Sequence, residues 1–236
     1  MKILAFESTA KTASVAVAQD DKILAEFTVD SGMTQSELLL PMAKQALSAA
    51  HLSLLDIELY ALTSGPGSFT GVRIGAALVK GLSFQKNIPC APISVMEALA
   101  DNLLPLSGIY CPVTDARRAH VYNALFRAEN GRAVRLCPDR LISITDLIAE
   151  LQESYPNTPI RLAGDATESV MAAAAATTLD LPPTPPALRK PSAAAVARCA
   201  RAAAARGETV SDAALCPVYL FPSQAERDRL EKENKK

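Results

Sequence analysis

The order of strand-like and helix-like segments constrains this chain more tightly than any single motif. Apolar or β-branched runs at residues 3–6, 14–18 and 22–29 read as three strands, with Gln19-Asp20-Asp21 as the turn between the last two. Leu39, Met42, Ala43, Ala46 and Leu47 then recur at the helical period. That spacing predicts a helix over residues 36–50 with Pro41 in its first turns. A buried strand over 59–63 and a helix over 70–85 follow. After a strand at 90–93, Ser94-Val95-Met96-Glu97 reads as a capping box opening a helix to about residue 104. The second half repeats the plan. Strands are predicted at 109–114, 121–126 and 133–137, the last two joined by Glu129-Asn130-Gly131, whose Asn-Gly suits a hairpin. A helix capped by Ser143 or Thr145 runs to residue 151, then come a strand at 160–163 and a helix at 167–177. Strand-strand-strand-helix-strand-helix thus occurs twice without residue-level repetition. This order predicts an α/β fold of two lobes, each a mixed sheet flanked by helices. The first lobe is expected over residues 1–106 and the second over 107–236, its last segment packing back on the first. Leu181-Pro182-Pro183-Thr184-Pro185-Pro186 serves as an extended connector. Ser192 then caps an Ala-rich helix ending near Arg206, with Gly207 just beyond. Its alanines serve either helix propensity or tight packing against a neighbour.

Charge narrows the function classes. The 236-residue chain carries a formal net charge of −1, which argues against holding RNA unaided, because phosphate neutralisation needs a clustered basic surface. The tail from Glu226 mixes signs and reads as a solvated helix. Five scattered cysteines show no metal-knuckle or redox spacing and suit a reducing, cytoplasmic setting. Glu7 interrupts the N-terminal apolar run before a signal-peptide core forms, and no run approaches the roughly 20 residues that span a bilayer. Two lone histidines, His51 and His120, offer neither a metal pair nor a catalytic base in a recognisable context, so no metal site and no catalytic residue are expected.

The sharpest local signal is Ser64-Gly65-Pro66-Gly67-Ser68-Phe69-Thr70-Gly71, between a strand and a helix. It suits either an anion cradle at a helix N-terminus or a tight turn needing glycine for geometry. It fits neither the dinucleotide fingerprint nor a P-loop. Gly71, Gly75 and Gly81 inside the following helix each cost about 1 kcal/mol relative to alanine, which close approach of a neighbour would offset. Glu7 and Asp115 end the first strand of each half and would face each other across a cleft, where they could hold a magnesium nucleotide. Glu7, Ser8, Thr9, Gly67, Ser68 and Asp115 are therefore the candidate nucleotide or anion contacts. Arg117-Arg118 stand where a second phosphate loop would want glycine, which weakens an ATPase reading. Leu38, Leu39, Leu40, Pro41 and Met42 cannot all point inward at about 100° per residue. A partner face is expected from Leu38, Leu39 and Met42 with Arg73, Ala76 and Lys80 on the second helix, and without a partner it could pair two copies of the chain.

Taken in order along the chain, several segments resemble the TsaB (YeaZ-like) family, once grouped with glycoproteases. They are Ile3-Leu4-Ala5-Phe6-Glu7-Ser8-Thr9, Ser36-Glu37-Leu38-Leu39-Leu40-Pro41, and the run from Gly65 to Gly75. Asp115-Ala116-Arg117-Arg118 with Val121-Tyr122, and Pro217-Val218-Tyr219-Leu220, complete the set. The resemblance implies an actin-like ATPase (ASKHA) fold of two RNase H-like lobes. It also implies a non-catalytic subunit pairing with the related catalytic subunit TsaD and the ATPase TsaE. That complex transfers threonylcarbamoyl from its adenylate to adenosine 37 of tRNAs reading codons that begin with A. The catalytic relative carries a metal-binding histidine pair that this chain lacks. The implied protein has no cofactor of its own, a nucleotide only at the complex interface, and tRNA contact only through the complex. Gln35 stands where the family often has histidine, and Phe6-Glu7 where it has Ile-Asp. Two other readings are an autonomous actin-like ATPase or kinase using Glu7, Asp115 and the Gly65 loop, and a glycoprotease-like peptidase.

Overall fold

The computed structural model describes residues 1–84 and 86–220; the mixed-charge tail read as helical lies outside them. The first unit contains β1 (Lys2–Glu7), β2 (Ala13–Gln19), β3 (Lys22–Val29), α1 (Gln35–Ala49), β4 (Leu59–Gly65), α2 (Phe69–Phe84) and β5 (Cys90–Ser94). Its sheet runs β3-β2-β1-β4-β5; the three N-terminal strands are antiparallel, and β1, β4 and β5 are parallel. Helix α3 (Val95–Asn102) leads to the second unit: β6 (Ile109–Asp115), β7 (His120–Asn123), β8 (Phe126–Glu129), β9 (Arg132–Arg135), β10 (Arg140–Ser143), α4 (Ile144–Ser154), β11 (Ile160–Ala163) and α5 (Thr167–Ala173). Residues 178–185 carry neither helix nor strand, and α6 (Ala193–Ala205) closes the helical part.

The single strand expected over 121–126 is broken, and β10 was not anticipated. β7 and β8 keep one register against β6, so they are one strand interrupted at Ala124 and Leu125. The break stands opposite Pro112, which has no N–H to give the ladder. The buried Asn123 side chain repairs it: Nδ2 donates to Pro112 O (2.9 Å) and Ala124 O (3.1 Å), while Oδ1 accepts from Arg140. β9 pairs with β8 and β10 with β7, so the third strand is broken as well. Counting each broken pair once, the order (β9, β10)-(β7, β8)-β6-β11 repeats β3-β2-β1-β4. The β8–β9 turn uses Asn130 (φ 50°) and Gly131 (φ 71°), as its sequence predicts.

Side chains alternate across the first sheet, and the two faces differ in size. Leu4, Phe6, Val15, Val17, Tyr60 and Leu62 pack on α1 and α2. The other face offers Ile3, Ala5, Ala16, Ala18, Ala61 and Ala91 to α6, whose Ala193, Ala195, Ala197, Ala200 and Ala203 meet them. Small residues on both sides let the helix lie close, which is the packing use of its alanines. Helix α3 packs Met96 and Leu99, with the capping Leu103 just beyond it, against Tyr110 and Phe126 of the second sheet. The α4–α5 side of that sheet is filled by Val113, Val121, Leu147, Leu151, Leu162 and Val170. Each unit therefore lends a helix to the other.

The N-terminus of α6 is capped across the structure. Ser192 Oγ accepts from the N–H of Ala195 (3.2 Å), Ser14 Oγ from Ala193 (3.1 Å) and Glu26 Oε1 from Ala194 (2.9 Å). Ser14 is fully buried, so its loss strands a donor. Ser14→Ala is expected to lower unfolding free energy by about 1–3 kcal/mol. Urea denaturation of both proteins measures it, and an unchanged midpoint would show that the trans cap contributes nothing.

Candidate functional site

The strand-to-helix loop between β4 and α2 packs directly onto the end of β1. A Cβ on Gly67 would stand 2.8 Å from Thr9 Cβ, one on Gly71 would overlap the Ser8 carbonyl oxygen, and one on Gly75 would overlap Ser8 Oγ. Three donors in and just after the loop find acceptors in the chain: Ser68 N–H to Thr9 O (3.0 Å), Gly71 N–H to Ser68 Oγ (3.2 Å), Val72 N–H to Ser68 O (2.9 Å). Ser8 Oγ donates to Gly71 O (2.9 Å). Of the two uses open to Gly71 and Gly75, the structure shows packing within the lobe. Gly81 meets nothing and faces solvent.

The end of the described chain lies across the same loop. Cys90 and Val210 exchange both N–H···O bonds, Leu215 enters the core against α2, and Val218 N–H donates to Ser64 O (2.7 Å). Gly65 has φ 118°, and a Cβ there would lie 2.5 Å from Val218 O. Tyr219 then stacks on Phe69 (centroids 5.0 Å apart), and its hydroxyl accepts from Arg73 Nε (2.8 Å), whose guanidinium lies 3.7 Å from the Phe69 ring centre. Lys80 Nζ reaches Ala213 O (3.5 Å). Residues 210–219 thus form a strap over the Gly loop and α2.

Glu7, Ser8 and Thr9 are buried, whereas Asp115 and Ser68 are exposed and Gly67 is half-buried. Glu7 and Asp115 therefore do not face each other across an open cleft as expected. Glu7 Oε1 accepts the Thr9 N–H (2.6 Å) and hydroxyl (2.5 Å), and Oε2 has no hydrogen-bond partner among the described residues. Burial raises its carboxyl above the ordinary 4.5, against the smaller opposing pull of the Thr9 and Thr63 hydroxyls. Asp115 Oδ1 accepts the Arg117 N–H (2.8 Å). Gln35 has its own structural use: Nε2 donates to Ala10 O (3.1 Å) and Thr12 O (3.3 Å), tying α1 to the β1–β2 turn. Burial pushes the Cys111 thiol up to about 12 and raises Cys90 and Cys199, so none of the three is an activated nucleophile.

The expected partner face needs correction. Leu39 (1% exposed), Met42 (4%) and Ala76 (5%) are core residues, and Leu38 packs at the core edge. Of the apolar run that opens α1, Leu40 and Pro41 face outward, and α2 exposes Phe69, Thr70, Arg73, Ala77, Gly81 and Phe84; Lys80 is half-exposed. The leucine run does not all point inward: Leu39 and Met42 share the buried stripe of Ala43, Ala46 and Leu47, and Leu40 and Pro41 turn outward.

The family model described as TsaD, tRNA N6-adenosine threonylcarbamoyltransferase, matches residues 32–223. The TsaB protein named for tRNA threonylcarbamoyladenosine biosynthesis in Bacillus subtilis is 32% identical over 65% of this chain and 67% of its own length. The chain belongs to this family, on its TsaB (YeaZ) branch. The Escherichia coli TsaB protein is 34% identical over 56% of this chain, and the match spans only 58% of that relative's length. A solved Pseudomonas aeruginosa protein, similar to the peptidase YEAZ, is 24% identical and shares the fold, with a TM-score of 0.78 over 93% of this chain and 99% of that one. The actin-like fold of two RNase H-like lobes is the one observed. No helix among the described residues is long and apolar enough to cross a membrane.

Two outcomes test this site. Gly81→Ala should raise stability by about 1 kcal/mol, whereas Gly71→Ala should lower it by on the order of 2–3 kcal/mol through overlap with Ser8. Equal effects in chemical denaturation would contradict the packing assignment. The second concerns Glu7. Its folded pKa lies above its unfolded value, so its stabilising contribution is complete below about 4.5 and is lost as pH rises through the folded value. Wild type should therefore lose thermal stability relative to Glu7→Gln as pH climbs above that point. Parallel Tm–pH curves would mean that Glu7 is not perturbed.

Proposed function

We propose that this chain is the non-catalytic subunit of a tRNA N6-adenosine threonylcarbamoyltransferase assembly. In this reading it binds and supports TsaD, with the ATPase TsaE as third member, in the cytoplasm where tRNA is modified. The observation that carries the reading is the packed Gly loop. The glycines that could have opened this loop to a phosphate instead pack on Ser8, Thr9 and the strap. That favours a scaffold over an autonomous ATPase or kinase. A peptidase finds no support either, given the perturbed and buried thiols of Cys90, Cys111 and Cys199. A nucleotide, in this proposal, sits at the interface with another subunit, and tRNA is met only within the complex.

The binding face we assign is the outward stripe of α2 (Phe69, Arg73, Ala77, Gly81, Phe84) beside Leu40 and Pro41 of α1. Phe84 is 76% exposed, a large apolar side chain left in water. The small Ala77 and Gly81 allow a partner helix to approach, and a second copy of the chain would use the same stripe when TsaD is absent. Leu40→Glu should weaken co-purification with TsaD by a few kcal/mol, on the order of a hundredfold, while circular dichroism stays unchanged. Leu39→Glu should instead unfold the protein, because Leu39 is core. Wild-type affinity in a folded Leu40→Glu protein would place the interface elsewhere. Failure of the unaltered chain to bind TsaD or to support tRNA modification would overturn the reading itself.

A further inference from the structure

The loop between β6 and β7 carries an unusual backbone. Arg117, Arg118 and Ala119 take φ of 67°, 53° and 57° in succession. L-residues avoid this conformation because Cβ crowds the neighbouring carbonyl, and glycine or asparagine is the ordinary solution, as at Asn130 and Gly131. Here two adjacent arginines hold it. The loop is fixed at its base: Asp115 N–H donates to Asp165 Oδ1 (2.9 Å), Ala116 N–H to His120 O (3.0 Å) and His120 N–H to Arg117 O (3.0 Å). Ile144 N–H closes the far side on Ala119 O (2.9 Å). The two carboxylates at the foot, Asp115 and Asp165, each accept a backbone N–H, so they are engaged in the loop itself.

The guanidinium groups are the unengaged part. Arg117 and Arg118 are exposed and have no acceptor among the described residues. Arg132 apart, every other arginine among the described residues hydrogen-bonds or lies in an ion pair. A strained, pinned loop that presents two adjacent free guanidinium forks matches a ligand with repeated tetrahedral anions, because each fork takes two oxygens of one phosphate.

We infer that Arg117 and Arg118 contact successive phosphate groups of an RNA backbone, which in the reading above is the tRNA substrate; the inference rests on that reading. A chain of net charge −1 does not hold RNA through two contacts, so they act as part of a larger surface completed in the assembly.

The test uses the complex reconstituted with TsaD and the double variant Arg117→Gly/Arg118→Gly. Glycine suits the left-handed backbone, so the variant should melt no lower than wild type and keep its affinity for TsaD. Its tRNA binding should be weaker, and the slope of log affinity against log salt should be shallower by about 1.5, for two lost phosphate contacts. Arg117→Lys/Arg118→Lys, which keeps both charges, should keep the slope. An unchanged tRNA affinity and slope overturns the inference. So does lost TsaD affinity in the folded glycine variant, which would make the loop a protein contact. ATP binding to the same complex is measured in parallel, and a loss confined to ATP would assign the arginines to a free nucleotide instead of RNA. If the unaltered complex neither forms nor modifies tRNA, the proposed function fails and takes this inference with it.

Discussion

The structure depends on one exchange: α3 leaves the first unit to cover the second sheet, and α6 leaves the second unit to cover the first. A sheet of this kind must bury both faces, and neither unit has enough helices of its own to do so. α1 and α2 fill one face of the first sheet, and α4 and α5 one face of the second. The two remaining faces are closed only when the halves come together, which makes the halves energetically inseparable. The alanines follow from this. Ala5, Ala16, Ala18, Ala61 and Ala91 on the sheet and the alanines of α6 are small because the helix lies close. The closeness also places Ser14 and Glu26 where they can cap the helix.

The same economy of space explains the Gly loop. Its glycines allow two backbones to touch: Gly67, Gly71 and Gly75 against Ser8 and Thr9, and Gly65 against Val218. Here the amide groups of Ser68 and Gly71 already have acceptors in the chain. Two family segments from opposite ends of the sequence, Gly65-Pro66-Gly67-Ser68-Phe69-Thr70-Gly71 and Pro217-Val218-Tyr219-Leu220, turn out to be neighbours. Phe69, Arg73 and Tyr219 join them, and the strap they anchor borders the outward stripe of α2.

Much of this was legible in the residues. Hydrophobic period and caps gave the strand and helix order, because both are local: the α1 stripe, the Ser192 cap and the Asn130-Gly131 turn need only near neighbours to act. The broken second strand was not legible, because the cause, Pro112, lies on a different strand from the break it produces. The inward turning of Leu39 and Met42 was legible, since they share the stripe of Ala43, Ala46 and Leu47 that the structure buries, and the partner face assigned to them ran against that stripe.

The sequence by itself determined the element order, the duplicated plan and the family, since periodicity, turn chemistry and motif spacing are properties of the chain alone. Tertiary structure decided what the motifs are used for. Whether a glycine receives a phosphate or a serine carbonyl depends on what stands within a few ångströms of its Cα. In this fold that neighbour is Ser8, brought there by β1 lying parallel to β4.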